Sequence, residues 1–382
     1  MKKLLFLIIC VLILAQFSAA IPVFARKYGY SCSVCHAPVP HLKAFGEEFM
    51  DNGYRIPDKE PPRATIDTGD PILLLQRELP LAFRIDGYLN YEPESSIKPD
   101  IKSPFVMKIL SGGNISSSIS YYSYFLFTEE GKVAGLEDTY LSFRNVFGLP
   151  LSIIFGQYRI SDPIKPSELR LTFEEYLIYK FRVGLSEISL SYDRGIMGSF
   201  STKSQTDFVF QLVNGNGIDT PEIFDKDKYK SFFWRVAQSF SKKKIRIGVL
   251  GYHGKEGEKG TANSVSYIGP DLRIRLPKVE LMLEYVHRRD DNPMFAEQAL
   301  AQKQKTDAYL GELIFSPYGE GGRLFFILAY NRVKSSLREI NYQKATLNIS
   351  YLLRRNLKWM NECTLDIDGK DHRFLTGIVV GI

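Results

Sequence analysis

The sequence predicts a mainly β protein, a transmembrane outer-membrane β-barrel of about 16 strands behind a small α-helical N-terminal piece. Three observations predict it. Residues 81–382 divide into segments of roughly ten residues with alternating polarity, as strands do that face lipid on one side and a wet lumen on the other. The polar connections between those segments alternate short and long. Tyr (22) and Phe (26) are abundant and Trp (2) is rare, which suits aromatic girdles. No run of about 18 apolar residues follows residue 20, and the mean hydropathy of −0.13 is too polar for a bundle of membrane helices. A large soluble β-protein would share the aromatic content, so the alternation carries the reading.

The chain opens as an export signal. Lys2 and Lys3 form a positive start, residues 4–14 are apolar, and Ser18-Ala19-Ala20 offers small residues for cleavage. The apolar run is too short to span a membrane comfortably. Residues 1–20 therefore read as a secretory signal that removes Cys10 with it. An exported chain meets no nucleic acid, so the net charge of +6 does not point there.

Cys32-Ser33-Val34-Cys35-His36 follows. Two cysteines three apart with a histidine directly after is the attachment signature of a c-type haem. The thiols add across the two vinyl groups, and the next residue becomes the proximal iron ligand. The pair as half of a zinc site lacks a second Cys pair, since only Cys363 remains in the exported chain. A thioredoxin-like pair wants a βαβ setting that the flanks lack. A local disulfide is the remaining alternative in an oxidising compartment. One motif means one covalent haem c, with Cys32 and Cys35 as attachment sites and His36 on the iron. For the distal ligand the candidates are Met50, His41 and Met107. His41 lies close to His36 in sequence and needs a sharp fold-back. Met50 has better reach and would raise the potential. His253, His287 and His372 fall at predicted strand ends and read as solvated.

Residues 21–57 form the haem domain. Leu42, Phe45 and Phe49 recur at near-helical spacing, Gly53 can close the helix and Pro57 follows. So short a piece buries little core unaided, and the haem supplies apolar mass. Docking in or under the barrel mouth would bury more. Residues 58–79, with Pro61-Pro62, Gly69 and Asp70-Pro71, read as a linker.

Residues 80–382 read as the barrel. In 244–252, Ile245, Ile247, Val249 and Gly251 share one face and Arg246, Gly248, Leu250 and Tyr252 the other. In 272–285 a hairpin turns at Pro277-Lys278; its outer row is Leu272, Ile274, Leu276, Val279, Leu281, Leu283 and Tyr285. Arg273, Arg275, Glu280 and Glu284 alternate with that row, and such charges belong in a wet lumen. Short turns are expected at 112–114, 147–149, 241–243, 277–278 and 354–356, on the periplasmic side. Longer loops are expected at 161–169, 215–229, 254–263 and 289–303, outside. The hairpins give about 16 strands, or about 18 if 170–181 and 184–192 pair; otherwise that region folds into the lumen. The chain ends in Ile382 rather than an aromatic residue.

Phe24-Ala25-Arg26-Lys27-Tyr28-Gly29, the Cys32 to His36 motif, Leu42, Ala44-Phe45-Gly46 and Asn52-Gly53-Tyr54-Arg55 together resemble the start of the fused monohaem cytochrome–porins of iron-oxidising bacteria and their relatives. The resemblance is specific over residues 22–56 and architectural over 80–382. It implies a short cytochrome joined to an outer-membrane porin, with Cys32, Cys35 and His36 holding the haem. It implies electron transfer across the outer membrane between an extracellular donor or acceptor, Fe(II) among them, and a periplasmic carrier such as a cytochrome. It assigns no distal ligand. Outer-sphere transfer needs no general acid or nucleophile, and the chain carries no hydrolase elbow or phosphate loop. The alternative is a solute-conducting porin whose haem-bearing piece is a plug or sensor.

Overall fold

The computed structural model describes residues 23–382 except 57, 58, 60–64, 74, 79, 97, 98, 219–222, 242, 259 and 370. The expected signal at 1–20 and part of the expected linker lie outside the described residues. The N-terminal segment holds helix α1 (Val23–Tyr28), a 3-10 turn (Cys32–Val34) and helix α2 (Ala44–Asp51). A small ribbon follows, β1 (Thr65–Ile66) against β2 (Leu75–Gln76).

Sixteen antiparallel strands then close into one barrel. They are β3 (Leu81–Tyr91), β4 (Asp100–Asn114), β5 (Ile119–Glu129), β6 (Gly135–Phe143), β7 (Leu151–Arg159), β8 (Tyr192–Ser201), β9 (Thr206–Val213) and β10 (Ser231–Phe240). The second half is β11 (Ile245–Glu258), β12 (Thr261–Arg275), β13 (Val279–Asp290), β14 (Gln304–Phe315), β15 (Leu324–Ser335), β16 (Tyr342–Arg354), β17 (Leu357–Asp366) and β18 (Arg373–Gly381). β18 pairs back onto β3, Phe374 opposite Tyr91 and Gly381 opposite Arg84. Closure leaves no unpaired edge, which a spanning sheet requires.

The expected alternation is present. On β11 Ile247 and Val249 point out, 48% and 41% exposed, while Leu250 and Tyr252 are buried inside. On β12 and β13 Arg273, Arg275 and Glu280 point inward, where they meet the N-terminal segment. Exposed Phe210, Phe232, Ile268, Leu328 and Trp359 belong to the outer band, a larger apolar surface than water tolerates.

Three expectations about connections are corrected. Gly112 and Gly113 do not turn; β4 runs through them and the chain reverses at 115–118. They are glycines because the lumen is crowded there: a Cβ on Gly112 would sit 3.2 Å from the Tyr122 ring, and one on Gly113 2.8 Å from the Gln76 amide. The expected loop at 254–263 is strand for most of its length, with Glu258 paired to Thr261. Its polar residues extend the β11–β12 hairpin beyond the apolar band. At 170–192 no extra hairpin forms, so the count is the expected sixteen and the alternative of eighteen falls. The loop expected outside at 161–169 is the third correction: it lies in the lumen, as part of residues 160–191, which fold inward and include the single turn of α3 (Leu177–Lys180).

That lumenal segment is packed rather than solvated. Tyr176, Ile178, Tyr179, Phe181, Val183, Ile188 and Leu190 form one buried cluster with the inward side chains Phe233, Leu250, Tyr252, Tyr267, Val286 and Leu310. Leu171 packs against Ile314, Phe325, Ile327 and Leu352, and Phe173 against Tyr88. Polar anchors reach it from much of the wall. The Glu362 carboxylate accepts from the backbone N–H of Phe173 (2.6 Å) and Glu174 (2.9 Å). Arg288 donates to the Ile188 carbonyl at 2.7 Å and Arg235 to that of Pro163 at 3.0 Å. Apolar runs that fill a lumen look like strands in sequence, which is why 170–192 was ambiguous.

Candidate haem site

The site starts from one tight turn. The Ser31 hydroxyl accepts from Ser33 N–H, and the Cys35 and His36 N–H groups donate to the Cys32 carbonyl at 3.2 and 2.9 Å. Cys32, Cys35 and His36 therefore face one cavity of about 680 Å³. Both cysteines are free thiols. The His36 Nδ1 lies 2.7 Å from the Pro40 carbonyl. A carbonyl only accepts, so Nδ1 carries the proton and Nε2 keeps its lone pair, the tautomer that a metal needs. Burial lowers the His36 pKa, which keeps the ring neutral, and burial raises both thiols.

Helix α2 closes the turn from behind. Lys43 N–H donates to the Cys35 carbonyl at 2.8 Å. Gly46 sits so close that a Cβ there would lie 2.5 Å from that carbonyl oxygen. Leu42 and Phe49 are buried as expected, but Phe45 is 38% exposed and lines the cavity. Tyr28, Tyr30 and Met50 line it too. Two thiols, an imidazole oriented by a backbone carbonyl, and apolar walls fit a c-type haem.

The N-terminal segment is fastened to the barrel at the short-turn end. Glu47 pairs with Arg273 (2.7 Å) and Arg275 (3.1 Å). Burial pushes the Glu47 carboxyl up, yet the two guanidiniums outweigh it and hold it below its ordinary value. His41 Nε2 lies 3.0 Å from Glu280, Lys43 pairs with Glu320 at 3.0 Å, and Arg275 donates to the Leu42 carbonyl at 3.3 Å. Arg26 donates to the Leu81 carbonyl at 2.6 Å and Arg144 to that of Asn52. Tyr54 stacks on Tyr122 with ring centroids 5.2 Å apart. The opposite wall of the cavity is the lumenal segment, with Ile164, Lys165 and Glu168.

Among the distal candidates, Met50 is half-buried on the cavity wall, and His41 is buried with Nε2 on Glu280 and Nδ1 without a hydrogen-bond partner among the described residues. Met107 lies on β4 outside the cavity lining. His287 bonds Asp307 at 2.8 Å on the outer face, His253 is exposed and His372 accepts from Asp366 N–H. Among the described residues no cluster of His, Cys, Asp and Glu could hold a metal ion. Sequence reading missed Glu47 and the lumenal wall at 164–168, and it gave Tyr54 no contact. The glycine pair at 112–113, read as a turn, was the one trace of the docked segment.

No protein-family model and no curated protein matches the chain. Solved structures do. An outer membrane protein OmpT of Vibrio cholerae, lacking loop L8, is 12% identical with a TM-score of 0.56, covering 80% of this chain and 99% of that one. An anion-selective porin from Comamonas acidovorans is 10% identical with a TM-score of 0.58, covering 80% and 99%. Salmonella typhi OmpF, in complex with daunomycin, is 11% identical with a TM-score of 0.56, covering 80% and 97%. At such identity the likeness shows the fold, a porin-like barrel.

Proposed function

We propose that this chain lies in the bacterial outer membrane and carries electrons across it by one haem c held at the short-turn end. The observation that carries the reading is the convergence of Cys32, Cys35 and His36 on one cavity, with His36 Nδ1 already satisfied by the Pro40 carbonyl. Haem c supplies a one-electron carrier at its iron. The residues of the chain do the rest. The two thiols tether the group, His36 Nε2 binds the iron and Met50 is the favoured second ligand. Glu47, His41 and Lys43 fasten the site to the wall, and residues of the lumenal segment 160–191 line the cavity from the side of the far end.

The outer apolar band and the closed sixteen-strand sheet support the membrane placement. Short turns face the periplasm in such barrels, so the haem end faces a periplasmic carrier, and an extracellular donor or acceptor meets the long-loop end. The solute-porin alternative is the weaker reading, because Phe233, Leu250, Tyr252, Tyr267 and Val286 point into the lumen and are packed dry. An open porin lumen is polar and wet.

The test is intact-mass analysis and a haemochrome spectrum of the exported protein. One covalent haem per chain is expected, lost in Cys32→Ala/Cys35→Ala. An apo-protein with a Cys32–Cys35 disulfide would overturn the reading.

A further inference from the structure

The outward face of β13, β14 and β15 changes character along its length. Near the short turns it is apolar, with Leu283, Phe315 and Leu328 exposed. Tyr285 and Tyr309 come next, directly opposite each other with ring centroids 5.0 Å apart. Level with them stands Arg332, and beyond, toward the long loops, the same face carries Lys334, Arg289 and Lys305. The strand register sets these side by side. Arg289 is opposite Lys305, and Lys334 is opposite Asp307. Arg332 is opposite Tyr309.

Asp307 is the carboxylate of this patch, and it is already engaged. It accepts from the Tyr285 hydroxyl at 2.6 Å and from His287 Nδ1 at 2.8 Å. Arg289 Nε donates to the other nitrogen of that same imidazole at 3.0 Å. Four permanent cations thus share the outward face of β13–β15 with one occupied carboxylate, and Asp291, just past β13, is itself paired with Lys303 at 3.2 Å. Like charges directly opposite on one face of a sheet destabilise it. An anion seated between Arg289 and Lys305 would reverse the sign of that term. The depth fits one source: tyrosines mark the interface between hydrocarbon and headgroups, with Arg332 level with them and the other three cations just beyond. Guanidinium forks and ammonium groups both suit phosphate oxygens.

We propose that this patch binds the phosphate of an anionic lipid headgroup in the leaflet around the long-loop end. The inference rests on the membrane placement of the barrel and is independent of the haem. Juxtamembrane cations draw anionic headgroups by an additive electrostatic term.

The experiment titrates the full-length holoprotein, in detergent, with bis-phosphorylated lipid A, with dephosphorylated lipid A and with inorganic phosphate. Native mass spectrometry and the shift in unfolding temperature read the binding. Saturable retention of the phosphorylated lipid alone is expected. Binding should weaken at least about tenfold in Arg289→Gln/Lys305→Gln/Arg332→Gln/Lys334→Gln. Lys203→Gln/Lys244→Gln/Lys278→Gln, at the short-turn end, should bind as the parent does. Equal retention by the fourfold variant, or equal retention of dephosphorylated lipid, would overturn the proposal. Patch-dependent binding of inorganic phosphate with no preference for the lipid would mark a soluble-anion site and overturn the lipid assignment. Insertion into vesicles is measured separately, so loss of the membrane reading is told apart from loss of the patch.

Discussion

His41 Nε2 and the Glu280 carboxylate meet at 3.0 Å across the seam between the N-terminal segment and the barrel wall. The contact joins residues 239 positions apart, and it turns the donor nitrogen of His41 toward the barrel. Nε2 is therefore engaged at the seam, while Nδ1 has no hydrogen-bond partner among the described residues. His41→Ala should leave the haem spectrum and midpoint potential nearly unchanged while loosening the seam. Met50→Ala should lower the potential and alter the low-spin spectrum, since thioether ligation raises it. Redox titration of the three proteins checks this.

Glu47 gives the seam a pH dependence. Its carboxyl is held below its ordinary value of 4.5 by Arg273 and Arg275, against the upward push of burial. A depressed folded value means stabilisation that is fully present above the ordinary carboxylate range and lost as pH falls through the depressed value. Glu47→Gln should weaken docking at pH 7 by about 2 kcal/mol, the scale of charge-assisted bonds. In strong acid the variant and the parent should behave alike. Hydrogen exchange of residues 23–56 across the pH range measures it.

Gly46 has no room for a side chain. A Cβ would lie 2.5 Å from the Cys35 carbonyl oxygen and 2.8 Å from Leu42 Cδ2. Gly46→Ala must push α2 away from the turn that carries both thiols, costing about 1–3 kcal/mol. The expected outcome is reduced haem incorporation with the barrel intact. The haem absorbance per chain, set against retained barrel migration on unheated gels, reads it.

The lumenal segment should block ions. With Tyr179, Val183 and Leu190 buried among inward side chains, the full chain should show no porin-sized conductance steps in planar bilayers. Deleting residues 164–187 should open them. Large steps from the parent protein would return the solute-porin reading.

The barrel was legible because its alternation is a two-residue period enforced by lipid outside and a different environment within. The 272–285 hairpin shows it well: four charges on one row faced inward, and the structure places Arg273, Arg275 and Glu280 against the N-terminal segment. The reading stayed open where the lumen is not wet. Leu171, Phe173, Ile178 and Val183 are apolar because they fill the barrel, and period-two logic could not tell such a filling from wall. The Cys32–His36 motif was legible from local spacing alone, and its three side chains line one cavity. Its partners Glu47, Glu280 and Tyr122 were not, because nothing local in the chain announces a contact across some 200 residues, as between Glu47 and Arg273. The glycines at 112–113 misled for the same reason: they make room for a distant side chain, Gln76 in one case, rather than for a turn.

Electron transfer through the closed barrel is the central claim, and one measurement reaches it directly. The full-length holoprotein is set in liposomes with an oxidised soluble cytochrome sealed inside, and membrane-impermeant ferrous citrate is added outside. The account predicts reduction of the enclosed cytochrome by the parent protein and none by Cys35→Ala or His36→Ala. An enclosed cytochrome that stays oxidised, or that is reduced equally with both variants, would contradict it.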